Sequence, residues 1–278
     1  MSEVFVCPKC MKQLNMTDRT AKCESGHCFD RAKEGYFNLL LGQNGGTHGD
    51  NKQMILARRN FLDLGYYASL ADAVTEAVLA VMPEDGTLLD CGAGECYYTD
   101  RTEKALTAAC RHAEVYAFDI SKDAVILASK RNKNIRLAVA GAYHMPVADG
   151  SVDVALNMFA PFAGEEYLRV LKAGGALVMA IPEREHLFGL KSVLYDKPYK
   201  NEVADFAIPG ITLTANRELR YTVTLESQAA VGALFAMTPY AYRTGSEGRE
   251  RIAKLDRLTT ELHFRVLTYK KKGNADEE

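Results

Sequence analysis

Four side chains near the start of the 278-residue chain have the types and spacing to hold a metal ion. Two residues separate Cys7 from Cys10, three separate Cys23 from His27, and twelve lie between the pairs. Thiolates and an imidazole spaced in this way meet tetrahedrally around Zn²⁺. With all four positions filled the ion is structural, and it replaces the core that this short polar stretch cannot build. Cys28 competes with His27 for the fourth position, and the sequence does not separate them. The seven cysteines are an odd number, and the start Met1-Ser2-Glu3-Val4 has neither a basic n-region nor an apolar h-region. Both points argue against a secreted disulfide framework and make the cytoplasm the expected compartment.

A second stretch with chemical potential is Leu88-Leu89-Asp90-Cys91-Gly92-Ala93-Gly94-Glu95. The apolar run Thr87, Leu88, Leu89 reads as a buried strand ending in Asp90, followed by a glycine turn and an amphipathic stretch from Tyr97. Strand, glycine turn and helix open a nucleotide-binding βαβ unit, and the glycines let a ligand approach the main chain. A dinucleotide site requires a third glycine where Tyr97 stands, so a pyrophosphate cradle is disfavoured. S-adenosylmethionine carries no phosphates and needs only the close turn and a carboxylate for its ribose. Asp119 supplies that carboxylate, 27 residues past Gly92 and at the end of the apolar run Val115-Tyr116-Ala117-Phe118. The turn alone reads equally well as a plain strand-loop-helix connection with a capping Asp. Asp119 and the strands that follow favour the cofactor.

The elements that must position these residues alternate. After the polar run 42–50, which reads as a mobile loop, a helix is expected over 51–63, with Arg58 and Arg59 facing either phosphates or solvent. Ser69 reads as the cap of a helix carrying Leu70, Val74, Val78 and Val81. Strands are expected at 115–118, 135–139, 152–158 and 176–181, with helices to about 110, over 122–132 and over 163–171. Lys172-Ala173-Gly174-Gly175 reads as a helix stop. This pattern predicts an α/β fold, a mostly parallel sheet with helices on both faces and ligands at the C-terminal strand ends. Two late strands, 211–226 and 259–269, around a helix near 228–238, suit an antiparallel edge. The expected organisation is a zinc-binding module over 1–34, a linker and helix over 35–66, and a Rossmann-like domain over 67–278. No run is apolar enough to span a bilayer. A net charge of −2 gives no broad basic surface, so any RNA site must be a local patch. The six Lys/Arg of the first 34 residues nearly balance five acids, a surface that suits plain solvent as well as a polyanion.

Taken together, the residues resemble one family, the RlmA/TlrB rRNA (guanine-N1)-methyltransferases, over nearly the whole chain. The resemblance rests on the two metal-ligand pairs, on Phe29-Asp30 and Ala32-Lys33-Glu34-Gly35-Tyr36 with Asn38-Leu39-Leu40, and on Ala57-Arg58-Arg59 with Phe61-Leu62-Asp63. It continues through Leu89 to Thr99, Phe159-Ala160-Pro161, His186-Leu187 and Met237-Thr238-Pro239-Tyr240. It implies a class I methyltransferase domain joined to a zinc module that grips RNA, and methylation of N1 of a guanine in a hairpin loop of 23S rRNA. Relatives suggest a homodimer. Carried over by position, the cofactor site is Tyr67, Gly94, Glu95, Asp119 and His186, beside Asp90 and Gly92 of the turn; His144 matches only in part. Cys96 stands where the family usually has glycine, which crowds the turn, and Asn157 stands where a relative has arginine. Which loop guanine is modified decides any contribution to macrolide resistance, and the sequence does not say which.

Guanine N1 carries a proton and is a poor nucleophile until that proton leaves, so the enzyme must align N1 with the S-methyl group and accept or relay the proton. A loop base can be splayed out and stacked. Phe159 and Pro161 follow the fourth strand and are expected to shape the target pocket, with Asn157 orienting the base. No general base is evident. Two other readings fit the same motifs: a zinc-containing methyltransferase acting on a small molecule or a protein, and a non-catalytic RNA-binding protein.

Overall fold

Leu88 and Leu89 are both fully buried, yet they serve different cores on opposite faces of one strand. That is the behaviour of an apolar run inside a parallel sheet covered on both sides. The computed structural model describes residues 3–42, 49–203 and 206–273. Most of the expected 42–50 loop, residues 43–48, and the end of the tail, 274–278, lie outside the described residues.

The chain begins with three short strands, β1 (Leu14–Met16), β2 (Thr20–Cys23) and β3 (Cys28–Asp30), paired antiparallel in that order. β4 (Phe37–Asn38) follows, then α1 (Lys52–Asp63), capped by the Asn51 side chain, which accepts from the Met54 amide at 3.0 Å. α2 (Ala68–Val81) starts one residue before the expected Ser69 cap. Gly65, at φ +82, turns the chain so that the Ala68 amide already bonds the Gly65 carbonyl at 3.0 Å. Tyr67 therefore takes the cap position and Ser69 lies inside the first turn.

Strand and helix then alternate, except that β7 is followed directly by β8: β5 (Asp85–Cys91), α3 (Tyr97–Ala108), β6 (His112–Asp119), α4 (Lys122–Arg131), β7 (Arg136–Val139), β8 (Val152–Met158), α5 (Gly164–Val170) and β9 (Leu171–Pro182). The helix stops at Val170, as its Lys172–Gly175 signal anticipates, but β9 begins at once and absorbs Gly174 at φ +76 near a shift in its pairing with β8. α6 (Phe188–Leu194), β10 (Ile211–Leu225), α7 (Gln228–Ala236), α8 (Tyr240–Arg243), α9 (Ser246–Ala253) and β11 (Leu258–Lys271) complete the described chain.

The eight-stranded sheet has the order β10-β11-β9-β8-β5-β6-β7-β4. Strands β4 to β9 are parallel, while β11 runs antiparallel to both β9 and β10, the mixed edge expected from the sequence. The connections reverse direction at β5, between β6 and β8, so the crevice beyond the ends of these strands is where a ligand belongs. One core packs α2, α3, α4, α6 and α7 around Leu88, Val154, Val178 and Phe264. On the other core, α5 shares the sheet with the N-terminal strands: Val4, Phe5, Leu14 and Ala21 pack with Leu89, Tyr116 and Phe118. The Phe5 ring meets the Tyr116 ring edge-on at 5.3 Å, and β4 extends the sheet beside β7. The N-terminal residues thus borrow a core from the sheet as well as using any metal.

Candidate functional site

The first site is built by two tight turns. Near Cys7, the Met11 amide bonds the Cys7 carbonyl at 2.8 Å, with Met11 at φ +56. Between β2 and β3, the Gly26 amide bonds the Cys23 carbonyl at 3.0 Å, with Gly26 at φ +83, so His27 folds back toward Cys23. The three thiols of Cys7, Cys10 and Cys23 and a nitrogen of His27 all lie within 4.8 Å of one another. His27 Nδ1 is 3.4 Å from both Cys7 Sγ and Cys23 Sγ, and Cys10 Sγ is 3.7 Å from Cys23 Sγ. A tetrahedral zinc with bonds of about 2.3 Å to sulfur and about 2.0 Å to nitrogen has edges of about 3.5–3.8 Å, so the donor set fits. Cys28 begins β3, opposite Lys22, and is exposed outside the cluster, which leaves His27 as the fourth donor. The Lys12 amide holds the Cys10 thiol down at about 6, favouring the thiolate a metal needs.

The second site sits at the ends of β5, β6 and β8. The amides of Gly92 and Ala93 bond the Phe118 carbonyl at 2.9 and 3.0 Å, clipping the glycine turn to β6. Gly92 has φ +81, and a Cβ there would stand 2.5 Å from the Ala160 Cβ. At Gly94, φ +57, a Cβ would meet nothing within 4 Å, so this turn faces open space. Asp119 accepts from the Gly94 and Ser121 amides, each at 2.8 Å. Burial raises its pKa and these two amides oppose the rise.

Asp90 is buried beneath the turn. Its Oδ2 accepts from the Thr99 hydroxyl at 2.5 Å, while its Oδ1 has no partner in the protein. Burial pushes its pKa up to about 7, with Asp119 adding to the rise. An orphaned buried carboxylate oxygen under an open glycine turn suits a bound ligand that carries positive charge or donors. Glu95 is buried as well, but its carboxylate takes Arg131 at 2.7 and 2.9 Å and lies 3.5 Å from Arg59. Cys96 is fully buried at φ +63, the left-handed backbone that explains a usual glycine; the thiol is accommodated inward.

The opposite wall is aromatic. The Tyr67 hydroxyl is 3.3 Å from His186 Nε2, and the His186 Nδ1 accepts from the His263 amide at 3.4 Å. That second bond places the imidazole proton on Nε2, donating to the Tyr67 oxygen and leaving the Tyr67 hydroxyl proton free for another acceptor. Burial keeps His186 neutral, with its pKa down at about 3. Phe264 of β11 lies 4.4 Å from the His186 ring, 5.1 Å from Tyr67 and 5.8 Å from Phe159. Phe159 is 43% exposed and has φ +61, with Tyr98 at 6.5 Å on its other side. Pro161 is exposed beyond it. Asn157 is buried below them, donating to the Tyr167 hydroxyl at 2.7 Å and accepting from the Ala160 amide at 3.0 Å, so it braces the turn.

Arg58 is ion-paired with Asp50 and donates to the Met237 carbonyl at 3.4 Å. Its charge reaches the pocket, opposing the burial that raises the Tyr67 and Tyr98 hydroxyls. Arg59 pairs with Asp63 and Glu95 on the neighbouring face. A cleft of about 490 Å³ adjoins the end of β6, lined by Asp50, Asn51, Ile120, Ser121 and Val139 among others. Sequence reasoning passed over Phe264, Asp50 and the buried Lys191. Tyr98 and Thr99 lay inside a quoted motif without a role.

The chain matches known proteins in two blocks. Residues 5–45 fit the family model of the N-terminal zinc ribbon of RlmA, and residues 89–179 fit a general methyltransferase domain. The chain is 33% identical over 259 residues to the 23S rRNA (guanine(748)-N(1))-methyltransferase of Streptomyces fradiae, covering 90% of each. It is 31% identical over 273 residues, 92% of each, to a Bacillus subtilis protein provisionally named 23S rRNA (guanine-N(1)-)-methyltransferase. A Micromonospora griseorubida protein with the same provisional name is 38% identical over 204 residues, 66% of this chain and 67% of its own.

Proposed function

Because this chain belongs to the family of 23S rRNA (guanine-N1)-methyltransferases, we infer that it transfers a methyl group from S-adenosylmethionine to N1 of a guanine in 23S rRNA. The observation that carries the reading is a near full-length match joined to two fitting sites in one chain: a four-donor zinc cluster and an open glycine turn over an orphaned carboxylate. The cofactors are S-adenosylmethionine and one structural zinc ion.

Cys7, Cys10, Cys23 and His27 would hold the zinc. Asp90, Gly92, Gly94 and Asp119 would hold the cofactor from one side, with Tyr67 and His186 across from them; the Tyr67 hydroxyl is the free donor. Glu95 acts at one remove, anchoring the start of α3 through Arg131. When bound, the cofactor supplies an electrophilic methyl on a sulfonium. The protein's part is mainly positioning, which alone can account for several kcal/mol of barrier reduction, on the order of 7 or more for well-aligned reactants. Phe159 and Pro161 form the wall against which the target base stacks, and Asn157 keeps that wall in place. Arg58 and Arg59 lie near enough to the mouth to meet RNA phosphates, after exchange of their present carboxylate partners.

The target guanine lies in a hairpin loop, where a base can leave its stack at least cost. The working form is a homodimer whose two zinc modules flank one RNA cleft, and ribosomal RNA places the enzyme in the cytoplasm. The division into a zinc module (1–34), a linker and helix (35–66) and a methyltransferase domain (67–278) remains our reading, with β4 of the linker built into the sheet.

The test is tritiated methyl transfer from S-adenosylmethionine to unmodified 23S rRNA, then primer extension. A single stop in a hairpin loop is expected, since N1-methylguanine blocks reverse transcription. No incorporation with cofactor still bound would point to a small-molecule or protein substrate.

A further inference from the structure

Lys191 is the single buried lysine among the described residues. Its Nζ donates to the Tyr199 carbonyl at 3.0 Å and to Asn201 Oδ1 at 2.5 Å. It also lies 4.4 Å from the centre of the Tyr199 ring and 5.5 Å from that of Tyr240. Each of these groups is neutral and electron-rich, a cage for an ammonium. Such burial is costly, and the Lys191 charge adds to the burial that keeps His186 neutral.

One member of the cage is exposed at the surface. Tyr199 is 48% exposed. An exposed tyrosine ordinarily moves among rotamers, yet this one is held by the same ammonium at both its carbonyl and its ring. Its ring lies tilted against that of Tyr195 at 5.6 Å. The Arg243 charge reaches the ring, opposing the rise in the hydroxyl pKa that burial and Tyr195 impose. Lys197 and Lys200 flank it in sequence.

The platform is tied to the reaction site. Asn201, two residues on, donates to the carbonyls of Glu183 at 2.9 Å and His186 at 3.4 Å, the turn whose imidazole faces Tyr67 and Phe264. Tyr199 therefore stands on the segment that Asn201 ties to the His186 turn, half exposed, with Lys197 and Lys200 on either side in sequence.

We propose that Tyr199 is a stacking platform for an unpaired nucleotide adjoining the target guanine, and that Lys191 is the buried pin that keeps the platform in place. The proposal rests on the rRNA reading above and names a contact within it. A base stacks on any aromatic face without regard to sequence, and nearby cations suit the phosphates on either side.

The test compares KM for protein-free 23S rRNA with S-adenosylmethionine affinity by calorimetry. Tyr199→Ala is expected to raise the rRNA KM about 10-fold, in the range for loss of one base stack, with cofactor Kd changed less than twofold. Tyr199→Phe, which keeps the ring, is expected to recover most of the loss, and Lys191→Met to fall between. Wild-type rRNA KM in Tyr199→Ala would overturn the proposal, as would equal damage to cofactor affinity. Should Lys191→Met fail to fold, the surface pair Tyr199→Ala and Tyr199→Phe still decides. A wild-type enzyme that methylates no rRNA overturns the underlying reading and the platform with it, an outcome distinct from an active enzyme indifferent to Tyr199.

Discussion

The Tyr67 hydroxyl and His186 Nε2 lie 3.3 Å apart under the ring of Phe264, and the His263 amide directs the imidazole proton toward Tyr67. The pair is a neutral relay, because burial holds His186 down at about 3.

His186→Ala should weaken S-adenosylmethionine binding about 10-fold by calorimetry, and no inflection near pH 6.5 in kcat/KM should trace to this residue. Its folded pKa lies below the unfolded value of about 6.5, so the unfolded chain takes the proton first. Stability from this group is whole above pH 6.5 and falls as pH drops toward 3. At pH 4.5 the loss is ~2–3 kcal/mol, and His186→Gln should reduce that acid sensitivity in urea melts.

Asp90 works in the opposite direction. Its folded pKa, raised to about 7, lies above the unfolded value, so the folded state pays for ionisation as pH rises from about 4 to 7. Asp90→Asn keeps an acceptor for Thr99 and removes the buried charge. At pH 8 the variant should gain ~1–3 kcal/mol of stability by urea titration, little at pH 4, and lose cofactor affinity.

The metal cluster predicts one zinc per chain. Cys23→Ser should lose it, while Cys28→Ser, altering an exposed thiol outside the cluster, should retain it by elemental analysis. Because Val4, Phe5 and Leu14 pack against Leu89 and Tyr116, chelation should lower the Tm of the whole chain rather than melt a separate unit.

Phe159→Ala should cut kcat about 10-fold or more with cofactor Kd unchanged, the outcome that the proposed stacking on the target base requires. Single-turnover methyl transfer separates the two effects; intact turnover would dismiss the stacking role.

The sheet was readable because its longer parallel strands are apolar runs and most of its crossovers carry helices with a 3.6-residue period. The metal ligands were readable because their spacing is local. Phe264, Arg131 and Lys191 left no such trace: Phe264 meets the ring of His186 on another element, Arg131 reaches Glu95 across 36 residues, and Lys191 sits between the rings of Tyr199 and Tyr240, and neither period nor motif marks them. Resemblance transferred the position of Glu95 but not its direction, which Arg131 sets. β4, at two residues, is too short to show alternation. Asn157 looked like a target contact by its place after β8, while its amide is spent on Tyr167 and Ala160.

The pairing of β4 with β7 and the seat of Phe5 on Tyr116 make the zinc ribbon one rigid piece with the catalytic sheet. On the RNA reading proposed above, a substrate touching both would be gauged by a fixed calliper, and its length would select the nucleotide presented to Phe159.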